Sequence, residues 1–391
     1  MKKTQTNLVV FAIVFIALLP SKLFSQQFNQ PDWVINMYKD TVHNYMFNGT
    51  NVALACRILM PKDFDKTKKY PVVVTLHGAS GFSIPGSKDY NINNLRAING
   101  QLADDAVRSK YGMYVIALQA NKLSQNSSEM WGKKHFEGLK KIIAVRAATV
   151  DMNRIYVMGQ SAGGNGTGTF ISLAPTYFAA AISAGSNASD IPVAKRASLV
   201  NFNLWHMVGE NDTKPNRFGG SNDFFTDMKS RNAKMKYTTF RNVGHSTEDF
   251  MVGSYGGTSG TFTKLDTDEA TGVVKTKEIN YTTWYASDSS DRTANTLDWL
   301  FSKSLLGPVA LNKTRAPQKP TINFDRANAE LNYSKTEAID QIVVYNLNGV
   351  VVLKTKKTSG NSLNLSSLKA GLYVVKTYQD NGDVSTTKIM K

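Results

Sequence analysis

Short apolar runs alternate with helix-length segments along most of the chain. Strand-like runs fall at 52–59, 71–76, 113–118, 154–158, 179–184, 202–208 and 236–241, and helix-like segments at 93–110, 132–148, 163–174, 222–232 and 291–304. Runs such as Val72-Val73-Val74 and Val115-Ile116-Ala117-Leu118 are apolar at successive positions, so both strand faces are buried. The alternation predicts an α/β domain, a mostly parallel sheet flanked by helices. Gly307-Pro308 closes the last helical segment, and a basic stretch free of acids follows, bracketed by Pro317 and Pro320. It reads as a linker over 309–320. From 321 to 391, short strands are separated by turn pairs, Asn348-Gly349 and Asn381-Gly382. That pattern predicts a small all-β, sandwich-like domain.

The first residues follow another order. Lys2 and Lys3 precede an apolar run from Leu8 to Leu19, and the small residue Ser25 follows. This is the layout of a secretory signal peptide over 1–25. The run falls short of the roughly 20 apolar residues a spanning helix needs, so no integral membrane span is expected in the mature chain. The protein is expected to be secreted or held at the cell surface, with 26–308 as its α/β domain. Cys56 is the single cysteine, which rules out an intrachain disulfide and a cysteine-based zinc site. The formal charge of +16 is concentrated towards the chain ends, without a basic stripe interleaved with aromatics. Nucleic acid is therefore not an expected partner. Neither a metal nor an organic cofactor is implied.

Chemistry enters at Gly159-Gln160-Ser161-Ala162-Gly163, a G-x-S-x-G between a predicted strand and a predicted helix. A sharp strand-to-helix turn there lifts the Ser161 hydroxyl above the sheet edge, and the glycines let neighbouring backbone pass close by. The Ala162 N–H, at a helix N-terminus, is placed to meet a developing oxyanion. A second donor is expected after the strand 71–76, in His77-Gly78-Ala79-Ser80-Gly81, with the Ala79 amide favoured and His77 orienting the loop. An acid is expected after the strand 202–208, where Glu210 and Asp212 both stand, and a histidine after the strand 236–241, where His245 follows Gly244. The order serine, acid, histidine is that of the α/β-hydrolases. His206 lies inside an apolar strand and reads as a core residue. Trp131, Phe82 and Tyr255 are loop aromatics; Trp131 and Phe82 are the candidates for substrate contact, by stacking on an aromatic acyl group or a sugar.

Residues 150–185, together with Tyr70 to Gly78, Trp205 to Asp212, Lys236 to His245 and Asp298-Trp299-Leu300, resemble the secreted esterase branch of the α/β-hydrolases. That branch includes polyhydroxybutyrate-depolymerase-like, feruloyl- and acetylxylan-esterase-like proteins and "predicted peptidases". The resemblance implies Ser161 as nucleophile, Asp212 rather than Glu210 as acid, and His245 as base. It implies cleavage of carboxylic esters through an acyl-enzyme, on a polymeric substrate such as an acylated polysaccharide or a polyester. A Gly/Thr/Ser-rich stretch after His245, including Gly253 to Gly260, departs from the pattern and is expected to form a surface hairpin or a cap. The tail resembles the C-terminal sorting domain of the type IX (Por) secretion system in 343–349, 363–368, 370–375 and 387–391, which implies secretion machinery as a partner. Two rivals remain. A serine peptidase would use the same residues, although no large propeller domain is present, and a surface-binding protein could keep the fold without the chemistry.

Overall fold

The computed structural model describes residues 30–124, 127–187, 191–213, 216–267, 274–307, 322–333, 339–346, 351–356, 362–379 and 384–391. The expected signal peptide, the linker and the two turn pairs lie outside the described residues. The chain enters through helix α1 (Asp32–Met37) and an antiparallel hairpin, β1 (Lys39–Phe47) and β2 (Thr50–Leu59), followed by β3 (Tyr70–Leu76). Helices α2 (Ala97–Ala103) and α3 (Asp105–Tyr111) lead to β4 (Tyr114–Leu118) and a short ribbon, β5 (Lys122–Ser124) with β6 (Ser127–Ser128). Then come α4 (Lys133–Ala144), β7 (Val150–Gln160), α5 (Ala162–Leu173), β8 (Ala180–Ala184), α6 (Val193–Arg196) and β9 (Leu204–Gly209). The domain closes with α7 (Arg217–Ser230), β10 (Met235–Phe240), β11 (Ser259–Thr267), β12 (Val274–Tyr285) and α8 (Thr296–Phe301).

The sheet is ten-stranded in the order β1-β2-β4-β3-β7-β8-β9-β10-β12-β11. Strands β4, β3, β7, β8, β9 and β10 are mutually parallel, and the hairpins β1–β2 and β12–β11 add antiparallel edges. The order reverses between β3 and β7, the switch point where open α/β sheets bind ligands beyond the strand C-termini. Alternate side chains feed two cores. Val72, Val74 and Leu76 meet Phe136 of α4, Phe170 of α5 and Phe224 of α7 on one face. Val73, Val115 and Ala117 meet Leu102 of α2 and Trp299 of α8 on the other. Cys56 is buried in β2 as a free thiol, and burial pushes its pKa up to about 12.

The expected helix 93–110 is two helices. Asp104 ends the first and caps the second, its carboxylate accepting from the Ala106 and Val107 amides. The expected helix 291–304 shortens to α8, because Asn295 caps it by accepting from Leu297 and Asp298. Part of the Gly/Thr/Ser-rich stretch forms β11, which with β12 lengthens the sheet. Phe240, at the end of β10, pairs with Tyr281, so the β12 residues before Tyr281 run on past the C-terminal rim of the parallel strands.

The tail is antiparallel β structure. β13 (Ile322–Asp325), β14 (Glu330–Tyr333) and β17 (Ser362–Asn364) make one sheet. β15 (Ile339–Tyr345), β16 (Val351–Lys356), β18 (Leu372–Gln379) and β19 (Val384–Met390) make another. Leu331, Ile342, Val344, Leu365, Val375 and Ile389 share its core.

Candidate active site

Ser161 stands between β7 and α5 with φ 58° and ψ −122°, a backbone conformation that non-glycine residues rarely adopt. The neighbouring chain holds it there. The Ser161 amide donates to the Ala184 carbonyl at 2.9 Å, and the Asn165 amide donates to the Ser161 carbonyl at 3.0 Å. The flanking glycines are sterically required. A Cβ on Gly159 would lie 2.2 Å from the Gly163 oxygen, and one on Gly163 would lie 1.9 Å from the Leu76 oxygen.

The Ser161 hydroxyl is 2.8 Å from His245 Nε2, and His245 Nδ1 is 2.8 Å from Asp212 Oδ2. With the carboxylate ionised, Nδ1–H donates to Asp212, which leaves Nε2 to accept the serine proton. Asp212 is 2% exposed, so its negative charge sits in a low-dielectric setting and acts strongly on His245. Arg217 Nη1 lies 3.8 Å from the other carboxylate oxygen, Asp212 Oδ1. The Glu210 carboxylate instead accepts from the Thr239 hydroxyl. The structure thus brings Ser161, Asp212 and His245 together, and gives Glu210 a different partner.

Backbone contacts fix the histidine loop. A Cβ on Gly209 would be 2.2 Å from the Val243 oxygen, and Asn211 donates to that same oxygen at 2.8 Å. The His245 carbonyl accepts from Thr247 N at 2.9 Å and from the Gln160 side-chain amide at 2.7 Å. Sequence reasoning missed Gln160 and Arg217. The signal for Gln160 was present, since it is the first variable residue of G-x-S-x-G, next to the serine.

Ala162 is the first residue of α5, so its N–H has no intrahelical carbonyl to bond. Ala79 opens a one-turn 3₁₀ helix, Ala79–Gly81, and its N–H is likewise at the free end. Gly78 brings that loop against the serine, since a Cβ there would be 3.3 Å from the Ser161 Cβ. His77 anchors the loop: Nε2 accepts from Ala120 N at 3.0 Å and Nδ1 pairs with the Gly78 carbonyl at 2.8 Å. Burial pushes its pKa down to about 3, so the ring stays neutral and can accept.

The loop aromatics differ in where they lie. Phe82 is 8% exposed and packs edge-on against His77 at 5.0 Å. Tyr255 is fully buried and donates to the Phe250 carbonyl. Trp131 is 5% exposed and donates from Nε1 to the His77 carbonyl at 3.1 Å, although its ring forms one wall of a cavity beside α5. His206 is in the core as expected, bonded to Ser183 and Ser221.

No curated protein matches the chain. Among solved structures it is similar to a thermostable esterase, at 24% identity over 54% of this chain and 56% of that one, with a TM-score of 0.45. It is similar to a ferulic acid esterase at 17% identity over 55% of this chain and 94% of that one, with a TM-score of 0.42. A putative dipeptidyl aminopeptidase IV from Bacteroides ovatus is matched at 16% identity over 54% of this chain and 33% of that one, TM-score 0.40. The matched region thus spans about half of the thermostable esterase and a third of that peptidase. Among the described residues no helix is long and apolar enough to cross a membrane. Residues 119–235, which hold the serine turn and the Asp212 loop, match the model of the prolyl oligopeptidase family. The domain thus has the α/β-hydrolase fold, and residues 319–391 match the model of the secretion system C-terminal sorting domain.

Proposed function

We propose that the protein is an exported serine hydrolase that cleaves carboxylic esters. The observation that supports this most directly is the unbroken line Ser161–His245–Asp212, with 2.8 Å at each step, on a strained serine turn. Ser161 Oγ attacks the ester carbonyl as its proton passes to His245 Nε2, and Asp212 steadies the imidazolium. The amides of Ala162 and Ala79 hold the oxyanion. When the tetrahedral adduct collapses, the bond to the alcohol oxygen breaks and His245 returns the proton to the leaving alcohol. Water, deprotonated by His245, then releases the acid from Ser161. The chain supplies every group this sequence needs without a cofactor. The sorting domain takes the protein outside the cell, where ester-bearing polymers, acylated polysaccharides or polyesters, are the substrates it would meet.

The match over 119–235 to the prolyl oligopeptidase family favours a second reading, in which the same residues cleave an amide. An amide places the heavier demand on His245, because the amine leaves only once protonated. Turnover of matched p-nitrophenyl esters and p-nitroanilides by the full chain and by Ser161→Ala decides between them. Ester turnover that vanishes in the variant is the expected result. Faster anilide than ester turnover would transfer the assignment to the peptidase reading, and equal rates in both proteins would remove Ser161 from the chemistry.

A further inference from the structure

A cavity of about 400 Å³ runs alongside α5, starting at Ala162 and continuing past Gly168 to Ile171. Its walls are mainly hydrocarbon, with Trp131 on one side and Ile191, Leu204 and Phe224 on the other. Three glycines of α5 set its width. A Cβ on Gly164 would lie 2.6 Å from the Ser186 Cβ, one on Gly166 2.6 Å from the Trp131 ring, and one on Gly168 3.0 Å from Ile191. The helix therefore lies against both walls, and the space left is narrow.

One end carries a hydroxyl cluster, and Lys195 also borders the cavity. His206 is fully buried, with Nδ1 2.9 Å from the Ser183 hydroxyl and Nε2 2.8 Å from the Ser221 hydroxyl. Ser183 is in turn 3.1 Å from the Ser186 hydroxyl, and Ser183, Ser186 and His206 all border the cavity. Desolvation lowers the His206 pKa to about 4, so the cluster is neutral at any pH near 7.

Ala162 ties this space to the site. Its backbone is the proposed oxyanion donor, and it also borders the cavity. The cavity therefore begins one residue along the chain from Ser161. Resting on the ester-hydrolase reading above, we infer that this cavity is the acyl subsite and that it takes a predominantly apolar acyl group of aryl or medium-chain size. The volume falls within the 300–1,000 Å³ range of small-ligand pockets and exceeds what an acetyl group fills. The alcohol part of the ester leaves towards solvent, on the side where His245 is exposed.

The test is a profile of kcat/KM across p-nitrophenyl acetate, butanoate, octanoate and benzoate. It uses the full chain, Ile191→Phe, which narrows the cavity, and Ile191→Ala, which widens it, with circular dichroism to verify folding. Wild type is expected to prefer octanoate or benzoate to acetate. Ile191→Phe is expected to lower the octanoate-to-acetate ratio at least tenfold and Ile191→Ala to shift the optimum to bulkier acyl groups, since a methylene in a hydrophobic pocket is worth about 10–200-fold in selectivity. Wild-type turnover with an unchanged acyl profile in both folded variants overturns the subsite while leaving the ester-hydrolase reading intact. Absence of turnover on every ester overturns both.

Discussion

Lys236 lies fully buried in β10, directly below the strand end that leads to His245. Its ammonium sits 3.4 Å from the centre of the Trp205 ring, with Tyr285 and Trp299 at 5.8 and 5.9 Å, and donates to the Thr293 carbonyl at 2.6 Å. Desolvation lowers its pKa from 10.5 to about 7; attraction to Asp291 opposes the shift, and Lys303 and Arg292 add to it. At 1.36 kcal/mol per pKa unit, the difference corresponds to about 5 kcal/mol against the charged native form. Between about pH 7 and 10.5 the folded lysine is neutral and the unfolded one protonated, so unfolding takes up a proton and stability rises with pH. Below pH 7 the whole cost is present; above 10.5 it is gone. Lys236→Met keeps the volume and removes the charge. It also gives up the cation–π contact and the Thr293 hydrogen bond, each worth about 1 kcal/mol. The variant is expected to be more stable than wild type by about 2–3 kcal/mol at pH 7, and slightly less stable near pH 10.5, by about 1 kcal/mol for the lost hydrogen bond. Urea unfolding of both proteins from pH 6 to 10, followed by circular dichroism, reads the difference directly, and the titrating tyrosines cancel between them. Two parallel curves, or a variant weaker at every pH, would refute the reasoning.

Glu248 should behave with the opposite sign. Burial raises its carboxyl from 4.5 to about 7 despite the nearby Arg96, so it costs stability as pH climbs from 4.5 to 7, and Glu248→Gln should flatten that fall in unfolding titrations. Asp212→Asn keeps the shape but reverses the hydrogen-bond direction at His245 Nδ1, and kcat on p-nitrophenyl esters should drop by about 10³–10⁴ with KM little moved. Gln160→Ala frees the His245 carbonyl from one of its two donors; kcat should fall roughly tenfold, about the worth of one hydrogen bond, while the unfolding midpoint stays within a degree or two. Gly163→Ala drives a methyl group into the Leu76 carbonyl, and the expected result is insoluble or inactive protein, scored by soluble yield and ester turnover.

The serine turn was legible because its determinants are local: an apolar strand, two glycines and a helix within a few residues of Ser161. Asp212 and His245 could be read by their order after successive strands, since the topology brings the C-terminal ends of parallel strands together. Burial direction was not legible. Phe82 and Trp131 both pack against His77, yet only Trp131 also borders the cavity along α5, and a loop position does not say which way an aromatic ring turns. The edge strands were also missed. β1 is half exposed and polar, and β11 is rich in threonine and carries Lys264 and Asp266, so neither shows the continuous apolar run that marked β3 or β4. The split at Asp104 depended on one capping carboxylate inside a segment that otherwise reads as a single helix.

The five residues around the serine divide their work unevenly. Positions 159 and 163 have no room for any side chain, and position 161 is committed by its hydroxyl. The two remaining positions look in different directions: Gln160 reaches the loop that carries His245, and Ala162 borders the cavity along α5. A substitution at 160 therefore adjusts how firmly the base is held, whereas one at 162 adjusts what can lie beside the bond being cut. Speed and selectivity have separate handles on either side of one atom, so an evolving or engineered lineage can alter either without first undoing the other.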